Sequence, residues 1–357
     1  MKTRKKRLAV KLNKCLTTWF CFSNLFTAQN TKWYRTCGSR RLHSRTLQAF
    51  PLARSAPLTG LYRHKVHAVA LRQGNGLCWL MTLSTRNIFF RGGILIAALS
   101  LILVATGGYF AYPAFPELTA STALRPNGII QKLVSGLAEP SAHVPLWTML
   151  GAAVYSFISI ILIYHFFEKT QSPEILFIGF FVISLTFEFA RLIIPLKAVF
   201  PLPAFFSIVA PRALFFGRYF GLFSLFASGV YATGLDAQKQ QSFLLMLILA
   251  ALVIAVDVPM DTFVWDSTFM VWTGYRFMFS IVEAVVLALT IASFLISAFT
   301  RGSRSYILIG IGAFFAFAGR SILINSDTLI TVLPGLVILS AGTWCICSRL
   351  HLEYLWL

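Results

Sequence analysis

Eight apolar runs, most of them about 20 residues long, constrain this chain more than any other feature. An α-helix rises about 1.5 Å per residue and the hydrocarbon core of a bilayer is about 30 Å thick, so about 20 apolar residues make one crossing. The runs fall at 88–111, 146–167, 174–196, 211–233, 242–259, 275–299, 306–325 and 328–348. Backbone N–H and C=O groups in lipid must be satisfied within their own segment, so runs of this length read as helices. The composition agrees: 57% of residues are hydrophobic and 12% charged, against about 25% charged in soluble domains. The expected fold class is all-α: a polytopic membrane protein with one N-terminal anchor helix and a seven-helix transmembrane bundle. Its first partner is the lipid bilayer.

The formal net charge of +19 belongs almost wholly to the N-terminal region. Residues 1–91 hold 18 Lys and Arg, and the first acid is Glu117; the remainder holds 13 Lys and Arg against 12 acids. Three readings fit the basic segment 1–80: a disordered arm, an organelle transit peptide, or an upstream region preceding a natural start at Met81. We favour the third. Residues 81–111 form a targeting sequence by themselves, with Arg86 and Arg91 ahead of an apolar run. Without a clean cleavage site, that run reads as a retained signal anchor. The charge alone would permit nucleic-acid binding, but no recognition motif accompanies it, so no nucleic-acid partner is expected.

The remaining organisation is a loop at 112–145 with one short amphipathic helix near 128–137, the bundle at 146–348, and a tail at 349–357. The last two runs are separated by a few residues around Ser326 and should pack as a tight antiparallel hairpin. Loop charges are nearly balanced between the two sides: Lys169, Lys239, Arg301, Arg304 and Arg349 against Arg125, Lys132, Lys197 and Arg212. Arg86 and Arg91 therefore set the orientation under the positive-inside rule. Both termini are expected in the cytoplasm, with the loop at 112–145 outside, and the membrane is expected to be a bacterial cytoplasmic membrane.

Charges within the spans are the candidates for function. Glu188 and Arg191, three residues apart, share a helical face. Arg218, Asp257, Glu283 and Arg320 join them in or at the ends of other spans. With strictly alternating helix direction, all six fall in the same half of the membrane. A lone charge at the midplane costs about 2.5–3.5 kcal/mol on insertion scales, so such residues pair or face a polar cavity. Three acids against three arginines allow pairing, and arginine suits it because its charge persists and its fork matches a carboxylate. Two roles compete: structural ion pairs that fix helix packing, and a ligand-, ion- or proton-binding cavity open outward.

Weaker features surround this group. Asp257, Asp261 and Asp266 lie with Phe263, Trp265, Trp272 and Tyr275 in what reads as an outer loop with an interfacial aromatic belt. Gly217 and Gly221 form a small-xxx-small face that permits close helix approach. Pro195, Pro201, Pro203 and Pro211 are expected to mark one long turn, since proline resists helix continuation. Cys345 and Cys347 read as packing residues or an acylation site, and no cysteine pair has zinc-ligand spacing. No phosphate-binding loop, nucleophile elbow, zinc-protease or haem-attachment motif occurs. No enzyme activity, metal or cofactor is therefore expected.

In helix count and inferred orientation, residues 146–348 resemble the seven-helix membrane modules of bacterial signalling receptors. The resemblance is one of architecture and carries over no functional residue. It implies a receptor-like or assembly-type membrane protein that senses something from outside. Those modules usually continue into a cytoplasmic output domain, so the short tail here implies a separate signalling or membrane-protein partner. A small-solute or ion transporter using the charge cluster as its site is the alternative.

Overall fold

The computed structural model describes residues 83–121 and 141–355, except 169, 171, 237 and 238. The basic arm, the expected helix near 128–137, and Arg125, Lys132 and Lys169 lie outside the described residues. Among those described, eight helical segments are long and apolar enough to cross a membrane.

In chain order the elements begin with α1 (Leu83–Ala111), a 3-10 turn (Tyr112–Ala114) and α2 (Phe115–Ser121). They continue with α3 (Val144–Phe167), then a compound span of α4 (Pro173–Ser184), a 3-10 stretch (Leu185–Leu192) and α5 (Ile193–Val199). After it come α6 (Ala204–Ala232), α7 (Gln240–Asp257), β1 (Met260–Trp265) and β2 (Val271–Thr273). The chain then forms α8 (Arg276–Arg301), α9 (Ser305–Ile324) and α10 (Leu329–Leu355).

Burial divides these spans by role. The compound span Pro173–Val199 is the inner post: over its most apolar 18 residues, 78% are buried, against 11% in α8. Its apolar side chains (Ile175, Leu176, Phe177, Ile178, Phe181, Val182) are buried on every side, as expected for a helix that is hydrophobic all round. In α8, Phe277, Val285, Ile296 and Phe299 stay exposed, and they form its lipid face. α6 is the other organising helix and packs against α4, the 3-10 stretch, α7 and α8.

Close approach between helices depends on glycine where backbones meet. A Cβ on Gly319 would overlap the backbone nitrogen of Leu339, and one on Gly342 would overlap that of Ala316. The expected hairpin of α9 and α10 is therefore held by direct backbone contact, the packing mode that small residues permit in membranes. Gly217 and Gly221 act similarly in α6: a Cβ at the first would strike Phe187, and at the second Ser184.

Four local features differ from the sequence reading. Pro211 lies inside α6, and Pro195 inside α5. The turn there is only residues 200–203, because buried neighbours hold both helices through a missing backbone donor. α10 continues to Leu355, through residues expected to be a tail. α1 runs on into the 3-10 turn and α2 instead of ending in open loop. The expected aromatic loop is a β-hairpin, with Met260 paired to Thr273, Asp261 to Trp272 and Trp265 to Val271. Its turn is built on Asp266, whose Oδ1 accepts from Thr268 N (3.1 Å), Thr268 Oγ1 (2.7 Å) and Met270 N (3.0 Å). Phe269 takes a left-handed conformation at φ 56°, a strained choice for a non-glycine residue. Its buried ring, edge-on to Phe115 at 5.2 Å, offsets that cost.

Candidate functional site

Glu188 and Arg191 lie on the 3-10 stretch. Three residues per turn makes side chains at i and i+3 eclipse, so the pair is aligned more closely than an α-helix would allow. Arg191 Nη2 lies 2.6 Å from Glu188 Oε2, with both side chains buried. Arg191 Nη1 donates to the Ile324 carbonyl at 3.1 Å, which satisfies an acceptor at the end of α9.

The close approach of α6 brings a second arginine to the same carboxylate. Arg218 sits between Gly217 and Gly221, and its Nε donates to Glu188 Oε1 at 3.1 Å and its Nη2 to Oε2 at 3.3 Å. Its Nη1 faces the sulfur of Met270 in the hairpin. Arg320 on α9 donates from Nη2 to the backbone carbonyl of Arg218 at 2.8 Å. It lies 5.9 Å from the Phe181 ring centroid. Glu283 on α8, half-buried, is within electrostatic reach of Arg218 and Arg320.

Five of the six expected charges thus converge, from the 3-10 stretch, α6, α8 and α9. Asp257 does not. It is exposed at the end of α7, and no described ion pair ties it to the group. Asp266, read from sequence as a loop residue, is buried instead and pairs with Arg276 at 3.5 Å. The three loop aspartates form no metal-holding group among the described residues. The charge count around the cluster is uneven: Asp266 also lies within electrostatic reach of Arg191 and is paired with Arg276, so Arg191, Arg218, Arg276 and Arg320 face Glu188, Asp266 and Glu283, which leaves one cation in excess.

A cavity of about 190 Å³ adjoins this excess charge. Its walls come from the 3-10 stretch and α5 (Arg191, Lys197), the first turns of α6 (Ser207, Ala210), and the hairpin (Trp265, Phe269). No local sequence pattern points to it, because the hairpin and α2 that enclose it fall in stretches that read as loop.

A second buried polar cluster lies at the other end of the same compound span. Ser172 caps α4, and Glu174 sits in its first turn, where a carboxylate complements the helix dipole. Glu174 Oε2 accepts from Ser172 Oγ and from Tyr354 OH, both at 2.6 Å. Arg301 approaches Oε1 at 3.8 Å and donates to Tyr306 OH at 2.6 Å. Ser303 Oγ donates to Glu353 Oε1 at 2.6 Å, which closes the group. No sequence pattern marks this cluster, because its partners come from three separate helix ends, one of them in the expected tail at 349–357. At the same face Arg86 donates to the carbonyls of Phe167 (2.9 Å) and Glu168 (2.6 Å), so it caps α3.

These features define a multi-pass helical membrane protein with two buried polar clusters along its central span. No protein-family model matches the chain. A curated protein of Treponema pallidum (strain Nichols), itself uncharacterised, is 25% identical over 196 residues. That alignment covers 54% of this chain and 55% of the relative, so the chain spans about half the length of the curated protein it matches.

Proposed function

We propose that this protein is a receptor-like membrane module: binding at the Glu188–Arg191 end is transmitted along the central span to the Glu174 end. One observation carries this reading. The most buried span of the bundle holds two buried carboxylate networks, one in its first turn at Glu174 and one past its middle at Glu188, fourteen residues apart, about 21 Å of helix. The Glu188 network sits on the stretch where the helix tightens into 3-10 geometry, a form that often marks a hinge when it occurs within a longer helix. Arg86 and Arg91 favour a cytoplasmic start for α1, which puts the Glu188 end outside and the Glu174 end towards a separate cytoplasmic signalling partner. A bacterial cytoplasmic membrane is the setting we assign.

A transporter is the second reading, favoured by the same interrupted helix beside a cavity, since transport sites are often built at broken helices. Hydrogen exchange of wild type and Arg218→Gln in lipid nanodiscs separates the two. A receptor-like module predicts faster exchange at residues 301–306 and 350–355 in the variant. Unchanged exchange there, together with loss of benzoate flux in proteoliposomes, would favour the transporter.

A further inference from the structure

The cavity beside Arg191 has a chemistry that the ion pairs leave unused. Its walls are mostly apolar: Ile193, Ile194, Leu214, Phe269 and Val271 contribute beside Ala210. Its polar wall residues are donors or cations in the main. Lys197 stands exposed at the membrane-surface end of α5, and Ser207 supplies a hydroxyl. Two further wall residues carry a buried N–H without an acceptor, Arg191 at Nε and Trp265 at Nε1. A buried donor left unpaired carries an uncompensated desolvation penalty, and such groups in native proteins call for an explanation. Here both belong to the wall of one cavity, next to a cluster with a cation in excess.

We infer that this cavity binds an oxyanion, a carboxylate or phosphate, carried on a small apolar body. The anion supplies the acceptor that Arg191 Nε and Trp265 Nε1 lack and the charge that Glu188, Glu283 and the Arg276-paired Asp266 leave unmatched. Both nitrogens are themselves buried, so the ligand reaches them through small rotations of the two side chains. The apolar body lies against Ile194, Leu214 and Phe269. At about 190 Å³ the space is smaller than the roughly 300–1,000 Å³ of pockets for drug-sized ligands. It suits a single head group with a ring or short chain. A free organic carboxylate and the head of an anionic lipid share this chemistry.

This inference deepens the receptor-like reading and rests on it for the face at which ligand arrives. The test is thermal unfolding of the full chain in a non-ionic detergent. The probes are benzoate against neutral benzamide, and dioleoyl phosphatidylglycerol against dioleoyl phosphatidylcholine. The anionic member of at least one pair should raise Tm in a saturable way, and its neutral counterpart should not. A response to benzoate assigns a free carboxylate, and one to phosphatidylglycerol assigns a lipid head. Trp265→Phe removes the donor and keeps the ring, and Ala210→Leu fills the space. Each should weaken the response at least tenfold in probe concentration, and Lys197→Gln severalfold. Equal shifts from charged and neutral probes would overturn the inference, as would anion responses unchanged in both Trp265→Phe and Ala210→Leu. Anion binding without any effect at residues 301–306 would sink the receptor-like reading and leave this site standing. An intact long-range effect without anion binding would do the reverse.

Discussion

The two ends of the central span solve one problem in opposite ways. At the Glu174 end a single carboxylate is met mainly by hydroxyls, and its one arginine, 33% exposed at the side chain, stands 3.8 Å away. Ser303 meets the neighbouring carboxylate of Glu353 in the same way, through a hydroxyl. At the Glu188 end one carboxylate holds two arginines directly, and a third binds a backbone carbonyl. Charge does not balance there, and a cavity lies alongside. The first arrangement is what a structural latch requires. The second keeps a cation available, which structure alone does not require, because a buried ion pair adds little net stability over a packed apolar core.

Substitutions can sharpen or break this contrast. The largest effect is expected from Glu188→Gln, which strips Arg191 and Arg218 of their shared counter-ion. Breaking a buried pair from one side costs about 3–5 kcal/mol, so the variant should lose its cooperative melt or its monodisperse elution in detergent. Glu174→Gln should cost less, about 1.5–3 kcal/mol, since it weakens charge-assisted bonds to hydroxyls without stranding a buried arginine. An equal or larger loss than for Glu188→Gln, read as the drop in Tm, would erase the distinction between the ends. Tyr354→Phe removes one hydroxyl from Glu174 and should cost about 1 kcal/mol or less, as interhelical hydrogen bonds in membranes usually do. The smallest effect belongs to Arg301→Gln, whose long, solvent-screened contact with Glu174 should be worth under about 1 kcal/mol. Raising salt should shrink it further in the same melting assay.

The spans and the convergence of Glu188, Arg191, Arg218, Glu283 and Arg320 could be read from the sequence, because length, apolarity and alternating direction dictate both. Where local sequence is silent, tertiary contacts decide. Asp257 satisfies the same-side rule, but α7 turns it outward. Arg320 was expected to need a carboxylate, and a main-chain carbonyl serves it instead. The 3-10 stretch has no composition of its own, and it lies where α6 approaches closely through Gly217 and Gly221. The hairpin did carry a sign, the β-branched and aromatic run Thr262 to Trp265 after Pro259, which suits a pleated surface. Tyr354 and Glu174 are 180 residues apart, and no local pattern joins them.

Transmission between the two sites requires that the two clusters be linked through the span that holds them both. A double-mutant cycle of Arg218→Gln and Tyr354→Phe, read as unfolding free energy in lipid nanodiscs, tests it most directly. Sites this far apart with no shared partner ordinarily add within about 0.3–0.5 kcal/mol. Linkage through the α4 span predicts an interaction term of at least about 1 kcal/mol, the lower end of allosteric coupling energies. Additivity would contradict it and leave two independent structural clusters.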